Sequence, residues 1–247
     1  MCDLKQLCSK QDIEGYCRAV RERRLSATWS LSIQPTEYNR TMQTSNPQHF
    51  SAAAERNSAP ILAELQRLLP GQGLMLEIAS GTGQHAAYFS AGLPGWSWQP
   101  TDFDPAALSS IRAWCSELSQ VLSPQQLNVL LEPWGAELPP TVDAMYCANM
   151  IHIAPWACTT ALMHGAARRL SKRGLLVTYG PYLEADVPTS PGNVAFDADL
   201  RSRDPSWGLR QLSAVEAEAL DAGLQLQHRV AMPSNNLLLV WGRVQVE

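Results

Sequence analysis

Apolar positions in this chain alternate between two periods along most of its length. Ile61, Leu62, Leu65, Leu68 and Leu69 recur at helical spacing, with Ser58-Ala59-Pro60 as the expected helix start and Pro70-Gly71 as its end. The short apolar run 74–78 reads as a buried strand, a small-residue turn follows, and residues 86–91 read as a helix. A second strand is predicted over 96–100, ending at Thr101-Asp102-Phe103-Asp104-Pro105. The helix expected over 106–118 carries Leu108, Ile111 and Cys115 on one face. Further strands are predicted at 127–131, 142–147 and 175–179, with a helix over 159–170 and a turn at Ser171-Lys172-Arg173-Gly174. The polar, proline-rich stretch 180–208 holds a short helix at 196–201. Residues 213–222 are helical, with Ser213 as cap and Glu216 three residues on. Strands 224–232 and 237–244 close the chain around Pro233-Ser234-Asn235-Asn236, where Asn235 and Asn236 suit a hairpin turn because Asn tolerates left-handed angles.

Strand and helix in alternation, followed by a closing strand pair, predict an α/β fold with a mostly parallel sheet covered on both faces. In such sheets the ligand crevice lies beyond the carboxyl ends of the strands. Residues 1–41 break the pattern: they are polar, hold Cys2, Cys8 and Cys17, and contain Arg21-Glu22-Arg23-Arg24. A helix over 12–25 would have only a narrow apolar face. An Arg-containing start raises organelle targeting, but Asp3, Asp12, Glu14 and Glu22 count against it. The expected organisation is a flexible extension over 1–49 and one domain over 50–247.

Composition narrows the function. A hydrophobic content of 45% with 17% charged residues suits a globular core. The net charge of −4 gives no footprint for nucleic acid, and no apolar run approaches the roughly 18 residues of a membrane span. Six cysteines without a C-x-x-C pair argue against a metal site and for reduced thiols in the cytoplasm.

The chemistry converges on the first strand and its turn. Gly81-Thr82-Gly83-Gln84-His85-Ala86 fits G-x-G-x-x-A, and Asp102 lies 19 residues past Gly83. A dinucleotide would use both features. Glu77 shifts the balance, because a carboxylate four residues before Gly81 repels a pyrophosphate and suits a ligand carrying an ammonium group. S-adenosylmethionine has an amino-acid end, a ribose and an adenine. The acid after strand one, the glycines and the acid after strand two match its parts in order.

The run Glu77-Ile78-Ala79-Ser80-Gly81-Thr82-Gly83-Gln84-His85 is similar to that of poorly characterised methyltransferase-like proteins of the class I S-adenosylmethionine-dependent superfamily. The resemblance continues through Ala54-Glu55-Arg56-Asn57, Trp98-Gln99-Pro100-Thr101-Asp102, Cys147-Ala148-Asn149-Met150-Ile151-His152, Tyr179-Gly180-Pro181-Tyr182, Asp204-Pro205-Ser206-Trp207-Gly208 and Met232-Pro233-Ser234-Asn235-Asn236. It covers about residues 50–243. It implies a seven-stranded, Rossmann-like class I methyltransferase sheet with S-adenosylmethionine as cofactor and no particular substrate. It also implies cofactor contacts from Glu77, Ala79, Ser80, Gly81, Gly83, His85, Asp102, Asn128, Asn149 and Met150. One departure stands out. Where the family carries Leu-Asp-Val near the end of strand three, this chain has Leu127-Asn128-Val129. The uncharged Asn128 can still accept a bond from the adenine amino group, or Glu132 can take that role.

Methyl transfer rests on positioning, and a base is needed only where the acceptor holds its proton near neutral pH. The candidate catalytic residues are Asn149, His152 and Tyr182, with His152 open to two readings, a base or a hydrogen-bonded structural histidine. Tyr179 and Tyr182 can present ring faces to a sulfonium. Three functions follow in order: a methyltransferase for a small-molecule acceptor, a nicotinamide-dependent oxidoreductase using the same turn, and a catalytically silent cofactor-binding module acting through a partner.

Overall fold

The computed structural model describes residues 47–244; the expected extension lies outside them except for residues 47–49. Helix α1 (Ala52–Leu68) precedes strand β1 (Gly73–Ile78), which is followed by α2 (Gln84–Gly92), β2 (Trp96–Asp102), α3 (Pro105–Trp114) and β3 (Gln125–Gln126). The chain then crosses to β4 (Val142–Ala148), α4 (Trp156–Arg169) and β5 (Leu170–Gly180). After β6 (Tyr182–Leu183), α5 (Pro191–Arg203), β7 (Arg210–Gln211) and α6 (Leu212–Asp221), it ends in β8 (Leu224–Met232) and β9 (Asn236–Arg243). Seven strands form one sheet in the order β3-β2-β1-β4-β5-β9-β8, with β9 antiparallel to both its neighbours and the others parallel. Strands β6 and β7 pair separately.

Burial on both faces explains why the central strands read as continuous apolar runs. Leu76 and Ile78 join a core with Leu162, Met163, Val215 and Trp241, contributed by α4, α6 and β9. Met75, one residue out of phase, joins Ile61, Leu65, Phe89, Ile111 and Tyr146 on the other face. No helix among the described residues is long and apolar enough to cross a membrane.

Five local expectations change. Helix α1 starts six residues before Ser58, capped by Ser51, whose side chain accepts from the Ala54 N–H; Pro60 lies inside the helix. The lost ladder bond at Pro60 is outweighed by burial of Ile61 and Leu65 on either side of the next turn. Residues 127–131 are not a strand. Asn128 Oδ1 accepts from the Leu130 N–H at 3.0 Å and bends the chain, while Leu127 and Val129 fill the core. Residues 171–174 do not turn the chain out of the sheet, but sit within β5 at a register shift between the Val142 and Ala144 pairings. Ser213 makes no cap, since α6 begins at Leu212 after Gln211. In the last hairpin Ser234 and Asn235 are left-handed (φ 61° and 57°), whereas Asn236 is extended.

Candidate functional site

The carboxyl ends of β1, β2, β4 and β5 meet where the strand order reverses, between β1 and β4. Glu77, next to last in β1, is only 2% exposed. The Trp98 indole N–H donates to its Oε2 at 2.7 Å, and the Ser80 side chain is a second partner. Burial raises the carboxyl from its ordinary 4.5 to about 7, against the lowering effect of those two hydrogen bonds.

The turn that follows is a run of left-handed residues: Ala79 (φ 56°), Gly81 (57°) and Gly83 (89°). Its two glycines serve different ends. A side chain on Gly81 would meet nothing within 4 Å, so Gly81 satisfies the backbone angle and leaves open space above the turn. A Cβ on Gly83 would lie 2.6 Å from the Ile111 Cα, so Gly83 lets α2 approach α3.

Asp102 closes the other side. It accepts from the Gly81 N–H at 2.8 Å through Oδ2 and from the Asp104 N–H at 2.9 Å through Oδ1. Burial raises its pKa, and these backbone N–H groups act in the opposite direction. The Leu127 N–H donates to the Asp102 carbonyl at 2.9 Å, which brings Asn128 to this edge. Glu132 is directed elsewhere, into an ion pair with Arg168 of α4.

After β4, Asn149 is left-handed (φ 60°), and its N–H donates to the Tyr179 carbonyl at 2.8 Å. Met150, Ile151 and His152 form a single 3-10 turn. The His152 side chain is fully buried, with the Gly208 main chain as a hydrogen-bond neighbour. Burial, followed by the nearby Arg210 charge, pushes it down to about 3, so the ring is neutral. Gly180 makes room for it: a Cβ there would sit 2.5 Å from His152 Nε2 and 3.2 Å from Asn149 Oδ1. The Tyr182 ring meets His152 edge to face at 5.0 Å between centroids. The Tyr182 hydroxyl donates to Thr178 Oγ1 at 2.8 Å, and burial raises its pKa.

The structure thus brings Glu77, Ala79, Ser80, Gly81, Gly83 and Asp102 together at one turn, and Asn149, Met150, His152 and Tyr182 around the ends of β4 and β5. His85 is committed to α1 and β4. Its Nε2 lies 3.3 Å from the Ala54 carbonyl and its Nδ1 3.2 Å from the Tyr146 hydroxyl, and burial lowers its pKa to about 4. A neutral ring donating to Ala54 and accepting from Tyr146 satisfies both contacts.

Sequence reasoning missed three side chains that hold the turn. Trp98 binds Glu77; Gln84 Oε1 accepts from the Ser51 N–H at 2.5 Å; Ser110 Oγ donates to the Thr82 carbonyl at 2.7 Å and accepts from the His49 N–H at 2.8 Å. Gln84 lay inside the resemblance motif, but its partner caps a helix whose start was placed six residues late.

A family model described as "Protein of unknown function (DUF938)" matches residues 48–243. The chain belongs to that family. This DUF938 member shares its fold with solved methyltransferases. The human N-acetylserotonin methyltransferase in complex with SAM is 16% identical with a TM-score of 0.62, over 78% of this chain and 53% of that one. The mitomycin 7-O-methyltransferase MmcR is 12% identical (TM-score 0.66; 78% and 54%). An O-methyltransferase family protein from Burkholderia thailandensis is 18% identical (TM-score 0.65; 79% and 58%). The chain spans a little over half the length of each. Its sheet has the Rossmann-like fold that these structures share.

Proposed function

We propose that this protein is an S-adenosylmethionine-dependent methyltransferase for a small-molecule acceptor, and that the domain of residues 50–247 carries the activity. The observation that carries the reading is the pair of carboxylates flanking the glycine turn, Glu77 buried at the end of β1 and Asp102 fastened to the Gly81 N–H. Beside Glu77 a pyrophosphate would meet a like charge in a low-dielectric site, whereas an ammonium group would stabilise the ionised carboxylate. The open space at Gly81 and the acid at Asp102 suit a ribose lying across the turn. Of the similar structures, human N-acetylserotonin methyltransferase contains SAM and PigF contains SAH, which supports the same cofactor. When bound, that cofactor supplies a methyl group already activated on a sulfonium.

In this reading Glu77, Ala79, Ser80, Gly81 and Gly83 receive the amino-acid end, with His85 supporting the turn from beneath. Asn128 keeps one lone pair of its Oδ1 and its amide N–H groups for the adenine, the other lone pair being used by Leu130. Asn149 and Met150 border the transferred methyl. His152, held neutral by burial, is in the form that accepts a proton. Tyr182 shapes the wall beside it, since its hydroxyl is engaged by Thr178. The buried thiols of Cys115, Cys147 and Cys158 suit the cytoplasm, where this reading places the protein.

Calorimetry with S-adenosylmethionine, S-adenosylhomocysteine, NAD and NADP tests the cofactor. Binding of the first two, lost in Asp102→Ala, is expected; binding of a nicotinamide cofactor in their place overturns the proposal. Labelled-methyl incorporation into the small-molecule fraction of cell extracts tests the reaction. Tight cofactor binding with no labelled product would favour a silent module.

A further inference from the structure

Helices α4 and α6 cover the face of the sheet opposite α2 and α3. Where they meet, His164 of α4 stands against Glu218 and Asp221 of α6. Each offers one ligand atom, and the three atoms lie within 4.8 Å of one another. His164 Nε2 is 3.5 Å from Asp221 Oδ2. Glu218 is held from outside the group, since the Trp156 indole N–H donates to its Oε2 at 3.1 Å. His164 and Glu218 are half-buried and Asp221 is exposed, so the group opens to solvent on one side.

Charge makes this arrangement costly as it stands. Both carboxylates sit in the last turn of α6, three residues apart, where the negative end of the helix dipole and like-charge repulsion both oppose them. That turn holds no basic residue. The arginines further along α4 are engaged elsewhere, Arg168 with Glu132 and Arg169 with the Pro139 and Trp134 carbonyls. A proton on His164 answers one carboxylate along one bond, whereas a cation at the imidazole lone pair draws all three groups together.

We propose that His164, Glu218 and Asp221 form a site for a divalent transition-metal ion, with Zn²⁺ as the best match. Zn²⁺ takes imidazole nitrogen and carboxylate oxygen at about 2.0–2.2 Å, and tetrahedral bonds of that length place ligand atoms about 3.4 Å apart. The His164–Asp221 pair is already close to that spacing, and rotation of an exposed carboxylate closes the rest. Water fills the solvent-facing position. Mg²⁺ and Ca²⁺ are disfavoured, because they take oxygen ligands. Cysteine spacing has no bearing on such a set, whose ligands come from two helices, with His164 and Glu218 54 residues apart in the chain. The ion pins α6 to α4. Neither the glycine turn nor its cofactor takes part, so the site stands or falls apart from the methyltransferase reading.

The test titrates Zn²⁺ into the untagged, metal-free full chain by calorimetry at neutral pH. One ion should bind, and His164→Ala and Glu218→Gln should each weaken it at least about tenfold. Co²⁺ in its place should give visible bands without a thiolate charge-transfer band, and Zn²⁺ should slow hydrogen exchange in the last turn of α6. Equal affinity in the unaltered chain and both variants overturns the inference, as does no binding, preference for Mg²⁺, or a thiolate band that marks the cysteines as the ligands. Glu218→Gln keeps an acceptor for Trp156 and removes a charge from the negative helix end. The metal-free variant should therefore unfold no earlier than the unaltered chain. Earlier unfolding would make Glu218 structural and also overturn the site.

Discussion

Glu77 is a carboxyl group sealed beneath a turn, with an indole N–H and a side-chain hydroxyl as neighbours, and this makes it responsive to pH and to ligand charge. Its folded pKa, about 7, stands above the ordinary 4.5. Between those values the folded chain keeps a proton that the unfolded chain has released. The stability Glu77 contributes is therefore full below about pH 4.5 and is lost as pH rises through about 7, by up to roughly 3 kcal/mol. Glu77→Gln should stabilise the free protein more at pH 8 than at pH 5, measured by urea unfolding at both. An ammonium-bearing cofactor favours the ionised form, so its affinity for the unaltered protein should rise from pH 6 to pH 8. A pH-independent affinity would show that Glu77 does not sense the ligand's charge. His152 works in the opposite sense. Its folded pKa, about 3, lies below the ordinary 6.5, so the stability tied to its neutral form is present above about 6.5 and is lost as pH falls toward 3. The position of Glu77 was legible in its spacing from Gly81. Its partner Trp98 was not, because only strand register, Met75 opposite Trp98 and Glu77 opposite Pro100, brings the indole to it.

At the level of elements, the site depends on close approaches between helices and on small anchors. Gly83 both adopts φ 89° and abuts the Ile111 backbone. Gly83→Ala should therefore cost at least about 2 kcal/mol in unfolding free energy, by combining strain with overpacking. The same change at Gly81, where space is open, should spare packing and carry only the backbone strain. Helix α5 is tied down by Asn235, whose Oδ1 accepts from the Ser190 N–H at 2.9 Å and whose carbonyl accepts from the Asn193 amide at 2.9 Å. Asn235→Ala should cost about 1–2 kcal/mol and raise hydrogen exchange across α5 more than across β1. Unchanged exchange in α5 would mean that Asn235 is only a turn residue. The hairpin itself was readable from its asparagines, but the grip of Asn235 on a helix some 40 residues earlier was not, since nothing local requires it.

For the whole molecule, a cofactor that binds only the folded chain must stabilise it. At a ligand concentration about 100 times Kd the gain is about 2.7 kcal/mol, which for a domain of this size raises Tm by roughly 5–10 °C. S-adenosylhomocysteine should produce that shift and NAD should not, as thermal unfolding at matched concentrations would show. The alternation of periods already determined an α/β sheet, the turn after β1 and the acids on either side, because burial on two faces and a tight strand-to-helix turn each leave a local mark. Strand 224–232 was legible to the residue for the same reason. The apolar run 127–131 misled, since filling a core and pairing in a sheet demand the same side chains and only Asn128 decides between them. Tertiary structure alone decided that His152 is sealed and neutral, that Gly180 makes room for it, and that Gly208 arrives beside it from 56 residues away. Burial and pairing belong to the space between segments, and no spacing within one segment records them.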